Sequence, residues 1–346
     1  MTNKFLNPSV IVGLLLVIIL LCIVFVWMKS APRIDEKYAA ALVKKELSIS
    51  GPITAQQLKG GLTNAQVFVV STESKKYVLK MFHTNQEDIH KEIQAALIAS
   101  EEGYGPHIYF SDIKSGILIM DFLSQEKFLP EEHQTDNTPV ALAHLLEKIH
   151  RGPDFDTFKN IFKDLIKRVD QIEAAGHTNL PLAKIKNRIN EIRQAVRPYA
   201  TTAPCHNDLN PYNIIFRGNE FKAIDFESAE QADPYFDVAT IANFYCLTPT
   251  CEQKLFKAYL EHTPSPNELM RLTLMKQLSF INFALGFLAL SSQQANLGNQ
   301  YNNLQAPDYA DILKDFYHGN IDIENHEHRL KFAKAMINEA FATKGI

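Results

Sequence analysis

A chain of 346 residues, 46% hydrophobic and 21% charged, can bury a large core and form one large domain or two lobes. Its formal net charge of -4, with Lys and Arg spread along its length, excludes the electrostatic footprint of a phosphate backbone, so nucleic acid is not an expected partner. Cys22, Cys205, Cys246 and Cys251 show neither metal spacing nor a disulfide framework, which points to free thiols in a reducing compartment.

After a tail over residues 1–9, residues 10–28 read VIVGLLLVIILLCIVFVWM without a charge, enough to cover about 28 Å of hydrocarbon as a helix. One transmembrane helix is expected, because the run is long for a secretory signal and WMKSAPR offers no small-residue cleavage site. Lys29, Arg33, Lys37, Lys44 and Lys45 follow the run while only Lys4 precedes it, which keeps the larger part cytoplasmic on a single-pass membrane protein. Residues 29–50 suit a juxtamembrane helix or linker between anchor and body.

Past Gly51 and Pro52 the texture changes to strands. ITAQQLKGGLTNAQVFVVST reads as two strands around a Gly60-Gly61 turn, and KKYVLKMF as a third. TNQEDIHKEIQAALIASEEG then opens with Thr84 and Glu87 in capping-box spacing and sets Ile89, Ile93, Ala96 and Leu97 on one helical face. HIYFSDI and GILIMDFL add two strands, and from about residue 137 nearly every periodic segment is helical. The expected fold class is α+β, a two-lobed fold with a small antiparallel β lobe over 51–123 and a larger helical lobe over 124–346, preceded by the membrane helix.

CHNDLNPYNIIF, Cys205 to Phe216, crowds hydrogen-bonding side chains directly before an apolar run. His206, Asp208 and Asn213 fit H-x-D-x-x-x-x-N, the spacing of a kinase catalytic loop, and a second apolar strand ends at Asp225 in AIDFE. A hairpin between NIIF and KAIDF would bring Asn213 and Asp225 to neighbouring ends. Phosphoryl transfer asks a protein chiefly to position reactants and neutralise charge. In that chemistry Asp208 accepts or orients the proton of an attacking hydroxyl, and His206 braces the loop by hydrogen bonds. Asn213 and Asp225, with Glu227 beside them, offer hard oxygen ligands to Mg²⁺ on ATP. Singly, these residues also read as a helix cap, a turn and a strand end; their joint spacing favours the chemistry.

Upstream, alternation along KYVLK points Val78 and Lys80 to one side, toward a nucleotide cleft, although an exposed edge lysine would look the same. Glu92 flanks the apolar face of the next helix and is the expected partner of Lys80, with a solvated flank as its plainer reading. KGGLTNAQ, with Gly60, Gly61, Thr63 and Asn64, suits a phosphate-cradling turn, because glycines let a ligand approach the backbone. LIMDFL, holding Met120 and Phe122, is the expected connector whose backbone edge can hydrogen-bond an adenine.

HNDLNPYNIIF, AIDFESAEQADPYFDVA and GGLTN together resemble the aminoglycoside phosphotransferase and choline/ethanolamine kinase superfamily over roughly residues 50 to 320. The resemblance implies a protein-kinase-like fold, Asp208 as the base, Asn213 and Asp225 on Mg²⁺ and Lys80 on ATP. Within it, H-N-D-L with D-F-E and Phe236-Asp237 is similar to choline or ethanolamine kinases, implying a small amino alcohol as acceptor. Asp225, Glu227, Glu230, Asp233 and Asp237, with no Lys or Arg between, also suit a cationic acceptor, so Glu227, Asp233 and Asp237 are candidate acceptor residues. Choline kinases, by that resemblance, enclose the ammonium with tryptophans on a late helix, where FINFALGFLALSSQ offers Phe280, Phe283 and Phe287; Phe283 and Phe287 are the candidates, or plain core. Thiamine, an aminoglycoside or a sugar remains open as acceptor, and a catalytically inactive, membrane-tethered nucleotide-binding module is the reading from another class. The short route from Asp225 to Asp237 lacks a protein-kinase activation segment, so the acceptor is expected to be small.

Overall fold

The computed structural model describes residues 34–58, 65–134, 137–218, 220–293 and 296–342. The apolar run 10–28 and the turn holding Gly60, Gly61, Thr63 and Asn64 lie outside the described residues.

Strands β1 (Thr54–Gln57), β2 (Ala65–Ser71), β3 (Lys76–Phe82), β4 (Ile108–Asp112) and β5 (Ile117–Asp121) form one antiparallel sheet in the order β1-β2-β3-β5-β4. Alternation along the strands splits their side chains between two cores. Phe68, Val70, Leu79, Met81, Ile117 and Ile119 share one, whereas Phe82 and Leu118 join the core that continues into the helical lobe. Helix α1 (Glu36–Glu46) closes the first face: Ala39 and Val43, one turn apart, are fully buried in that same cluster. The segment expected as a linker is therefore part of the β lobe. Its charges lie outward while a stripe of small apolar residues covers a sheet face that would otherwise meet water.

Helix α2 (Gln86–Glu101) covers the second face with Ile89, Ile93 and Ala96 buried at helical spacing. Its cap corrects the sequence expectation: Asn85, not Thr84, accepts from the backbone of Asp88, and Thr84 donates to the Asp88 carboxylate. Asn and Thr are both good caps, and spacing alone could not separate neighbours. After β5 the chain crosses to the helical lobe, where the Glu126 amide donates to Phe216 and the Phe216 amide to the Gln125 side chain.

The helical lobe comprises α3 (Thr138–His150), α4 (Ile161–Ala174), α5 (Leu182–Val196), α6 (Tyr235–Tyr245), α7 (Pro249–Leu260), α8 (Pro266–Ser291), α9 (Leu297–Asn303), α10 (Tyr309–Tyr317) and α11 (His326–Ala342). Helix α8 has the length and apolarity of a membrane span, yet Leu278, Ile281, Ala284, Leu285 and Leu288 are fully buried and it packs against α6 and α11, so it is the lobe's central core helix. Two small ribbons interrupt the helices. The expected hairpin pairs β7 (Ile214–Arg217) with β8 (Glu220–Ala223), and an unexpected one pairs β6 (Ala203–Cys205) with β9 (Glu230–Ala232). Three-residue strands are too short to show a period in sequence.

Candidate active site

The two ribbons hold the loop His206–Asn213 at both ends. Ile224 donates its amide to the Asn213 carbonyl at 2.9 Å, and His206 Nε2 lies 3.0 Å from the Ile224 carbonyl, so loop and hairpin are zipped together. Asn207 and Asp225 both sit at φ 63°, a left-handed conformation that non-glycine residues adopt at a cost repaid by their surroundings. Those surroundings are visible. The Asn207 amide side chain donates to the carbonyls of Ser228 and Glu230, and Asp237 accepts the backbone amides of His206 and Asn207, each at 2.8 Å. His150, the last residue of α3, meets the same carboxylate at 3.2 Å.

Asp208 is gripped by amides on both oxygens: Asn210 donates to Oδ1 and Asn213 to Oδ2, each at 3.0 Å. Burial, with Asp225 and Glu227 nearby, pushes its carboxyl up to about 7 against the opposing bond from Asn210. A carboxyl in that range can exchange a proton near neutrality. Burial also lowers the His206 imidazole, which is 1% exposed and therefore neutral; its role here is to brace.

On the β lobe side, Lys80 from β3 meets Glu92 of α2 and reaches Asp225 at 2.7 Å across the lobes. Burial would strip the lysine's proton, but Asp225 and Glu92 outweigh it and raise its pKa, so it stays charged. Burial raises Glu92, and the same cause with Asp225 raises Glu227. Charge is also out of balance there. Oxygens of Glu92, Asp225 and Glu227 all lie within 4.8 Å of one another, with Lys80 the cation paired to Glu92 and Asp225. Hard oxygens in charge excess fit a divalent ion such as Mg²⁺, and Asn213, whose amide nitrogen is spent on Asp208, makes no hydrogen bond through Oδ1 among the described residues. Of the residues expected to hold the ion, Asp225 and Glu227 thus come together, with Glu92 as the third member of the cluster.

Four acceptor candidates read from the sequence fall elsewhere. Asp237 is fully buried under the loop it braces and cannot touch a small molecule. Asp233 pairs with Arg271 at 2.6 Å and caps the Tyr235 amide, so its charge is spent inside the lobe. Phe283 packs edge-on to Phe244, and Phe287 stacks on Phe332, both as core contacts. Met120 pairs with Val78 near the end of β5, and the Phe122 amide donates to the Lys76 carbonyl at 3.3 Å, which puts both at the lobe connection. Asn207, Asn210, Lys159 and Arg168 were missed. Asn207 and Asn210 stand inside the quoted motif, whereas Lys159 and Arg168, within electrostatic reach of Asp208, carry no motif at all.

Known proteins resemble the chain in sequence and in fold. The Haemophilus influenzae protein LicA is 24% identical over 216 residues, which cover 59% of this chain and 62% of LicA's own length. The solved choline kinase LicA from Streptococcus pneumoniae superposes with a TM-score of 0.54 at 18% identity, covering 82% of this chain and 97% of that one. A spectinomycin phosphotransferase solved with ADP and spectinomycin gives 0.60 at 17%, covering 91% and 100%. These structures share the fold: a kinase-like antiparallel sheet joined to a helical lobe. The model of the phosphotransferase enzyme family matches residues 54–269, which take in the sheet, the Lys80 pair, the Asp208 loop and Asp225, and the chain belongs to that family.

Proposed function

We propose that the chain is an ATP-dependent kinase transferring the γ-phosphoryl group to a hydroxyl of a small molecule, with amino alcohols of the choline or ethanolamine type as the first acceptors to test. The observation that carries this reading is the meeting of Lys80, Glu92 and Asp225 across the lobes beside an Asp208 carboxylate clamped by two amides. Lys80, kept charged and fixed by Glu92, orients the nucleotide phosphates. Asp208 accepts the proton of the attacking hydroxyl, and Asn210 and Asn213 hold its carboxylate in one direction. Mg²⁺ bound by Asp225 and Asn213, with Glu227 adjacent, would neutralise phosphate charge. Backbone at Met120 and Phe122 would meet the adenine.

The amino alcohol is supported by the choline kinase among the structural neighbours, and the nucleotide by the ADP held in another. Thiamine, aminoglycosides and sugars are the other acceptors to assay. An inactive nucleotide-binding module is disfavoured by an intact set of Lys80, Asp208, Asn213 and Asp225. ADP release with Mg²⁺ across choline, ethanolamine, thiamine and aminoglycosides tests the reading. Asp208→Ala should reduce turnover by about 10²-fold or more, and unchanged turnover would remove Asp208 from its role. We further propose that residues 10–28 anchor the catalytic body at the cytoplasmic face of a membrane. Cell fractionation should find the chain with membranes and a version lacking residues 1–28 released; retention of both would refute the anchor.

A further inference from the structure

We infer that Arg168 receives an acidic group of the acceptor, a carboxylate or a phosphate, so that the molecule phosphorylated carries an anion beside its hydroxyl. This rests on the kinase reading above and replaces its first acceptor, because choline and ethanolamine carry no anion. Helix α4 buries Ile161, Leu165, Val169 and Ile172, and Arg168, three residues after Leu165 and four before Ile172, shares that inward face. Its guanidinium is half-buried against α8, where Nη1 donates to the carbonyl and the side-chain oxygen of Asn282, each at 3.2 Å, and lies alongside Gly286. Among the described residues no carboxylate comes within ion-pair distance of it, although Asp164, one turn earlier, and Asp208 are within electrostatic reach.

A cation turned inward without a counter-ion is costly, and a planar fork with free donors suits a carboxylate or phosphate. Arg168 is not needed to hold Asp208, since Asn210 and Asn213 already occupy both oxygens of that carboxylate. On the kinase reading the nucleotide would lie beside Lys80 and Glu92 on the sheet side, and an acceptor would reach Asp208 from the helical lobe, which carries Arg168. Lys159, ahead of α4, adds a second cation within reach of Asp208. Its backbone is fixed by donation to the Gln231 carbonyl at 3.0 Å.

The test measures ADP formation by the full chain with MgATP and three matched pairs of acceptors. They are serine against ethanolamine, glycerate against glycerol, and glycerol 3-phosphate against glycerol; the first two isolate a carboxylate and the third a phosphate. The acidic member of at least one pair should show a KM lower by roughly tenfold or more, and Arg168→Gln should erase that preference through KM rather than kcat. Arg168→Lys, which keeps the charge and loses the fork, should fall between, with thermal melting confirming that both variants fold. The inference is overturned by a wild type that favours the neutral or cationic member of every pair, by an Arg168→Gln variant that keeps the preference, or by a chain that binds MgATP yet turns over none of the compounds. Failure of the kinase reading itself shows separately, as absent MgATP binding in calorimetry.

Discussion

Asp237 carries more of the catalytic loop than its distance from the chemistry suggests. It accepts two backbone amides of the loop and meets His150, in a site from which water is excluded. Asp237→Asn turns one charged acceptor into a donor facing amides, and should cost about 3 kcal/mol in urea unfolding and lower kcat, with KM for ATP little changed. A variant as stable and active as the parent would show that the loop is held by other means. The residue was legible in the sequence, but its role was not, because spacing along the chain does not say which group a carboxylate faces. The same limit hid Asp233, whose partner Arg271 is recruited from α8. Lys80 and Glu92 were readable for the opposite reason: strand alternation and a helical wheel fix direction, and direction picks the partner.

Helix α1 belongs to the β lobe through its packing, not through its place after an apolar run. Val43 is fully buried among Phe68, Leu79 and Ile119, so Val43→Asp would bury an unpaired charge and destabilise the lobe by about 3–5 kcal/mol. Thermal melting checks this, and an unchanged transition would return α1 to the status of a linker. Long periodic elements such as α2, and the strand triplet β1, β2 and β3, were legible because their patterns run for several residues. The β6/β9 ribbon was not, since three residues on each side give no period and its pairing joins segments far apart in the chain.

Among the described residues, ion pairs join the two lobes at Lys91 with Glu230 and, beside the catalytic loop, at the junction where Lys80 from the sheet touches Asp225 from the helical side. A nucleotide that bridges them should therefore depend on the acids gathered there and on the ion they suit. The direct measurement is calorimetric titration of ATP into the wild-type chain and into Asp225→Asn, each with and without Mg²⁺, which requires no knowledge of the acceptor. Binding is predicted to require Mg²⁺ in the wild type and to weaken by roughly tenfold or more in the variant. Equal affinity in all four titrations, or no binding in any, would contradict a magnesium nucleotide site at this junction.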